Sequence, residues 1–94
     1  MTAKAHLSRL HNLPCVVCTK MGVEQSSPSV AHHVEFIRDA HSDFAAIPLC
    51  DFHHTGAGGV HHLSRREFSM RYKLSDVDLL ALTIWEMDRR GMIE

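Results

Sequence analysis

Four residues of this chain have the types and spacing of a zinc site: Cys15 and Cys18 as C-x2-C, then after a long gap Cys50 and His53 as C-x2-H. Zinc takes four tetrahedral nitrogen and sulfur ligands, and two short-spaced pairs from separate turns can surround it. The same residues could do less, with Cys50 a small buried hydrophobe after IPL and the C-x2-C an unmetallated pair. Three cysteines is an odd number. In a reducing compartment, C-x2-C with a later cysteine and histidine reads as zinc before disulfide. A zinc ion there would tie an N-terminal knuckle to the end of an apolar strand. Its binding energy would be folding energy, on the order of ten kcal/mol in zinc-finger peptides.

The chain carries nine histidines in 94 residues, a high number. His32, His33, His54, His61 and His62 fall near the zinc set, yet a closed four-ligand site has no use for them. Neighbouring residues of a strand point to opposite faces, so His32 and His33 address different surroundings, one a metal and the other a substrate in front of it. His54 follows His53 directly, and a ligand held by a rigid neighbour needs little reorganisation to bind. Gly56, Gly58 and Gly59 let the chain turn tightly between His54 and His61 and approach a phosphate, unless the stretch is a plain surface turn. His6, His11 and His41 read as ordinary surface residues.

The order AHHV, then IPLCDFHH, then GVHHLSRREF resembles the HNH, or ββα-metal (His-Me finger), endonucleases. The likeness is to the phage-type group related to the RecA-dependent nuclease Ref, and it covers residues 13 to about 73. The resemblance implies two short strands and a helix around one divalent ion, with a zinc knuckle bracing them from behind. It implies His33, ahead of Val34, as general base, and His32, His54 and His61 as ligands of the catalytic ion, with His61 preferred to His62. Where the family usually has Asn, this chain has Ala45, so that bracing role passes to Ser42 or Asp43 or is lost. Histidine ligands favour Mn2+, Ni2+, Co2+ or Zn2+; Mg2+ could serve with the substrate phosphate completing its shell.

Such a set would hydrolyse a phosphodiester. A neutral imidazole, with an ordinary pKa of about 6.5, can take the proton of the attacking water. The cation would stabilise the leaving alkoxide. Arg65, Arg66, Arg71 and Lys73 follow the histidines and could hold DNA phosphates, as could Lys4, Arg9 and Lys20, or they form a solvated basic face. Arg66 and Lys73 lie seven apart, roughly on one helical face. Nothing reads bases, so weak sequence preference and nicking are expected.

The elements that must position these residues are few. One α+β domain over residues 1–94 is expected, with strands at 30–37 and FAAIPLC, and a short helical turn before residue 13. The knuckle LPCVVCTKMG makes a tight turn and closes near Gly22. Ser64 with Glu67 signals a capping box for a helix at 65–72. Ser75 with Asp78 is a weaker version ahead of a helix at about 76–90, stopped by Gly91. Its stripe of Val77, Leu80, Ala81, Ile84, Trp85 and Asp88 is core or partner surface. It would cap the zinc core, pair two copies, or receive a recombination or replication protein.

Ten Lys+Arg against eleven Asp+Glu gives no global basic field. No signal peptide or spanning stretch is visible, so the expected setting is a bacterial host cytoplasm, with a phage or prophage gene. Two other readings stay open: a zinc-stabilised nucleic-acid-binding module that no longer cuts, and a protein-interaction adaptor working through its last helix.

Overall fold

The computed structural model describes residues 2–34 and 41–93. It is a small mixed α+β structure built on one antiparallel strand pair. In chain order come α1 (Ala3–Leu10), α2 (Val16–Met21), β1 (Val30–His33), a 3-10 turn (Ser42–Phe44), β2 (Ala46–Leu49), α3 (Asp51–His54), α4 (Arg65–Tyr72) and α5 (Asp76–Arg89).

The helix starts divide into two kinds. Thr2, Ser64 and Ser75 accept the orphan N–H groups of Ala5, Glu67 and Asp78 through their hydroxyls, the ordinary way to begin a helix. At Ser75 the box closes reciprocally, with the Asp78 carboxylate accepting from the Ser75 N–H at 2.9 Å. The signal that reads as the weaker in sequence is thus the complete one. The other two helices begin at Cys15 and Cys50, whose side chains make no capping hydrogen bond. Their sulfurs point elsewhere, and Ser27 Oγ accepts the Asp51 N–H at 2.8 Å instead. The expected tight turn of the knuckle is therefore the first turn of α2. Gly22 ends it at φ 69°, where a Cβ would be strained.

β1 pairs with β2 in the register Val30 to Leu49, Ala31 to Pro48, His32 to Ile47 and His33 to Ala46. β1 is four residues long; Val34 N–H adds one more bond to Ala45 O at 2.9 Å. The part of the expected strand beyond Val34 lies outside the described residues. Phe44 and Ala45, expected in the second strand, instead end the 3-10 turn and lead into it. All four residues of β2 are buried, because α1, α2, α3 and α5 all pack on it. Ile47 and Leu49 join Val17, Phe68, Leu74 and Leu79 in the main core, while Leu10, Leu13, Ala46 and Met87 form a smaller patch under α1.

α5 divides the expected stripe between core and surface, with Leu80 packed on the main core. Its inward face is Leu79, Thr83, Glu86 and Met87, and the apolar stripe through Val77, Ile84 and Trp85 faces outward at 74%, 54% and 57% exposure. Both faces carry apolar side chains, so periodicity could not choose between them. Burial of the polar pair is tolerated because each is satisfied: Thr83 Oγ1 donates to Leu79 O at 2.8 Å, and Arg89 and Arg90 hold the Glu86 carboxylate. No helix among the described residues is long and apolar enough to cross a membrane.

Candidate metal centres

Cys15, Cys18, Cys50 and His53 meet in the interior, each at 5% exposure or less. The repeated C-x2 spacing has a local cause. In α2 the pair occupies the residue before the helix and its third position, and in α3 the second pair does the same. One helical turn thereby brings both side chains of each pair to the same end. Gln25 fastens the knuckle, accepting the Cys15 N–H at 2.9 Å and donating to Ser27 O at 2.7 Å.

The spacing of the four ligand atoms tests the identity of an ion. Tetrahedral zinc with bonds of about 2.3 Å to sulfur and about 2.0 Å to nitrogen requires edges of about 3.8 Å for S···S and about 3.5 Å for S···N. Cys18 Sγ and Cys50 Sγ lie 3.7 Å apart, and His53 Nδ1 lies 3.4, 3.4 and 3.7 Å from Cys18, Cys50 and Cys15 Sγ. A disulfide, at about 2.05 Å, is excluded. These four buried residues can hold a metal ion, and the one S···S and three S···N edges given match those of a zinc tetrahedron.

Electrostatics agree. Burial pushes the Cys15 and Cys18 thiols well above their ordinary range, and it also lowers the His53 imidazole. Burial pushes Cys50 up too, but the His53 N–H, the Cys18 thiol and the Ser26 N–H outweigh it and bring the net shift below the ordinary value. A dication reverses the penalty on all three sulfurs by favouring thiolate. The His53 ring is wedged edge-on between Phe52 and Tyr72, with centroids 5.0 and 5.2 Å away.

A second cluster lies beside the first. His32 from β1, His54 from the end of α3 and His61 from the following loop bring their rings within 4.7–5.3 Å, centroid to centroid. His54 Nε2 and His61 Nε2 are 3.1 Å apart, within the edge lengths of about 2.9–3.4 Å that octahedral and tetrahedral ions require. Burial first, then His54 and His61, hold the His32 imidazole down to about 4. Burial and His61 likewise lower His54. Both rings therefore offer lone pairs at neutral pH. His32 and His54 are half-buried and His61 is exposed, so this group is open to solvent where the first is closed.

The glycine loop is what returns His61 to His54. The N–H groups of Val60 and His61 bond back to the carbonyls of His53 and His54 at 3.1 and 3.0 Å. A Cβ on Gly59 would lie 2.4 Å from His54 O, so only glycine lets the strands of this loop approach so closely. Tyr72, not singled out in the sequence, braces the loop by donating its hydroxyl to Gly58 O at 2.8 Å. Its aromatic spacing to Phe68, one turn earlier on α4, was the available signal.

His33 stands next to His32 but outside the cluster, exposed, with Nε2 2.7 Å from Asp43 Oδ1. His62 is exposed and is not among the three grouped rings. The basic residues diverge. Arg65 is engaged with the Asp76 carboxylate and with Val34 O at 3.1 Å, bracing α4 and α5 against the end of β1. Arg66, Arg71 and Lys73 are exposed. α4 ends at Tyr72, and Lys73 caps it in the left-handed region at φ 56°, so Arg66 and Lys73 do not continue one helical face. Arg9 is half-buried, with Nη1 shielded and unpartnered. His6, expected at the surface, is buried at 8% exposure against Phe44.

No protein-family model, curated protein or solved structure matches the chain.

Proposed function

We propose that the chain is a metal-dependent endonuclease of the HNH type that hydrolyses DNA phosphodiester bonds, with zinc in the Cys15–Cys18–Cys50–His53 site and a catalytic divalent ion at His32, His54 and His61. The observation that carries this reading is the sharing of α3. His53 points into a closed four-ligand site while the adjacent His54 joins an open three-histidine group, and His33 follows His32 of that group on β1. The strand–strand–helix order of β1, β2 and α3 is the order that the HNH resemblance implies.

In this reading His33 accepts a proton from the water that attacks phosphorus. The P–O3′ bond breaks, and the products are a 5′-phosphate and a 3′-hydroxyl protonated from solvent. A divalent ion, when bound, would neutralise phosphate charge and stabilise the leaving oxygen. Arg66, Arg71 and Lys73, all exposed, supply phosphate contacts. Arg65 acts chiefly as a brace. The outward apolar face at Val77, Ile84 and Trp85 is the surface for a second copy or a recombination or replication protein.

A second reading is favoured by one observation: Ala45, where the resemblance implies Asn, is buried at 9% exposure and brings no polar group. That would suit a zinc-stabilised nucleic-acid-binding module that does not cut. The two separate in a plasmid-nicking assay with Mg2+, Mn2+, Ni2+ or Zn2+ supplied after EDTA treatment. Metal-dependent nicking that disappears in folded, zinc-containing His33→Ala is expected. A wild type that cuts neither plasmid, branched nor single-stranded DNA with any metal leaves the binding module.

A further inference from the structure

We propose, resting on the nuclease reading, that Asp43 is the positioning residue that holds His33 in the tautomer and orientation a base requires. The contact is short, 2.7 Å from Asp43 Oδ1 to His33 Nε2, within the range of charge-assisted bonds. An ionised carboxylate only accepts, so Nε2 carries the hydrogen and Nδ1 keeps the lone pair. Nδ1 is then the atom that takes a proton from water.

The position of Asp43 is itself determined. It sits in the 3-10 turn between β1 and β2, where Phe44 N–H bonds to His41 O at 2.9 Å and Ala45 N–H to Ser42 O at 3.0 Å. Phe44 anchors the turn on α1 through the His6 ring, 5.0 Å away. The register then puts His33 across from Ala46, directly after the turn, so the Asp43 side chain folds back over it. Ala45 has only a methyl group to offer, and the polar group that reaches His33 comes from two residues earlier. The side chains of His33 and Asp43 are 46% and 41% exposed, and an ion pair so placed contributes little to stability. Orientation is what the contact can supply.

The test compares wild type, Asp43→Asn and Asp43→Ala, each zinc-loaded and checked for fold by circular dichroism. The His33 tautomer is read from long-range nitrogen–proton NMR correlations, and plasmid cutting is measured with Mn2+. Wild type and Asp43→Asn, whose amide oxygen still accepts, should show the Nε2–H form. Asp43→Ala should show mixed tautomers and a kcat lower by on the order of tenfold to a hundredfold at little-changed KM, with Asp43→Asn recovering most of the rate. An unmoved tautomer in Asp43→Ala overturns the positioning role whatever the cutting does. A moved tautomer with unchanged kcat overturns it as well. Absence of cutting by the wild type overturns the nuclease reading, and with it the role of His33 as base, while the tautomer still reports whether the contact exists.

Discussion

The two metal-ready clusters use neighbouring residues of one short helix, yet they are built for opposite ends. Around His53 all four residues are buried and their number matches a closed tetrahedral site. Around His54 three imidazoles gather at a half-open surface, where a bound ion would stay in reach of solvent. Residue type does not make this difference, since histidine serves in both. Burial does, and burial is set one residue at a time along α3. A closed cluster binds its ion as part of folding, whereas an open one binds it on a scaffold that already exists.

The comparison breaks most directly at the closed site. Cys50→Ser, or removal of the ion by a strong chelator, should unfold the protein, since about ten kcal/mol of metal binding is lost from a chain of this size. Circular dichroism with elemental analysis should show loss of both helix and zinc. A Cys50→Ser protein that melts with the wild type would mean that the four residues pack without serving as a metal site.

At the open site the expected effect is large on binding and small on folding. His54→Ala and His61→Ala should keep one equivalent of zinc and melt within a few degrees of wild type. Titration of the zinc-loaded proteins with Mn2+ or Ni2+ by calorimetry should show affinity lower by at least about tenfold. Loss of zinc from His54→Ala would erase the distinction between the sites.

The closed cluster was legible because its signal is local: two C-x2 pairs, each one helical turn long. The open cluster was readable residue by residue, but the reason His61 rather than His62 joins it lies in the two backbone bonds that align the loop on His53 and His54. No spacing rule contains those bonds. The stripe of α5 stays open in the sequence, as core or partner surface, for a different cause. Glu86 and Thr83 mark a solvent face by type, and only their internal partners, Arg89, Arg90 and the Leu79 carbonyl, make their burial possible. Arg65 carried the same ambiguity. A cation near a candidate site reads as a phosphate ligand until Asp76 and Val34 are seen to hold it.

Gly59→Ala joins the two sites in one perturbation. The added methyl would meet the His54 carbonyl, so the loop must move. A destabilisation of about 1–3 kcal/mol is expected in urea titrations, as for other overpacked sites, with retained zinc and weakened binding at the open site. Loss of both metals together would show that the loop supports the closed cluster as well.

The smallest effect is expected at His6, a buried histidine that belongs to neither cluster and so shows what burial does to an imidazole that no metal-site histidine adjoins. Burial, then Arg9, hold its pKa below the ordinary 6.5, and Nε2 has no hydrogen-bond partner. Because the folded pKa is the lower one, the ring is neutral in both states above pH 6.5 and favours neither. As pH falls below 6.5 the unfolded chain takes the proton first, so stability drains away until the folded pKa is passed. His6→Leu removes both the titration and the orphaned nitrogen. In zinc-loaded protein it should match or exceed wild-type stability at pH 7.5, by up to about 1 kcal/mol. Its advantage should widen as pH falls from 6.5, when urea midpoints of the two proteins are compared at each pH. The difference between them cancels the acid sensitivity of the metal sites, which both proteins share. A constant gap across that range would mean that His6 titrates alike in the folded and unfolded chains, and that burial together with Arg9 does not keep this histidine neutral.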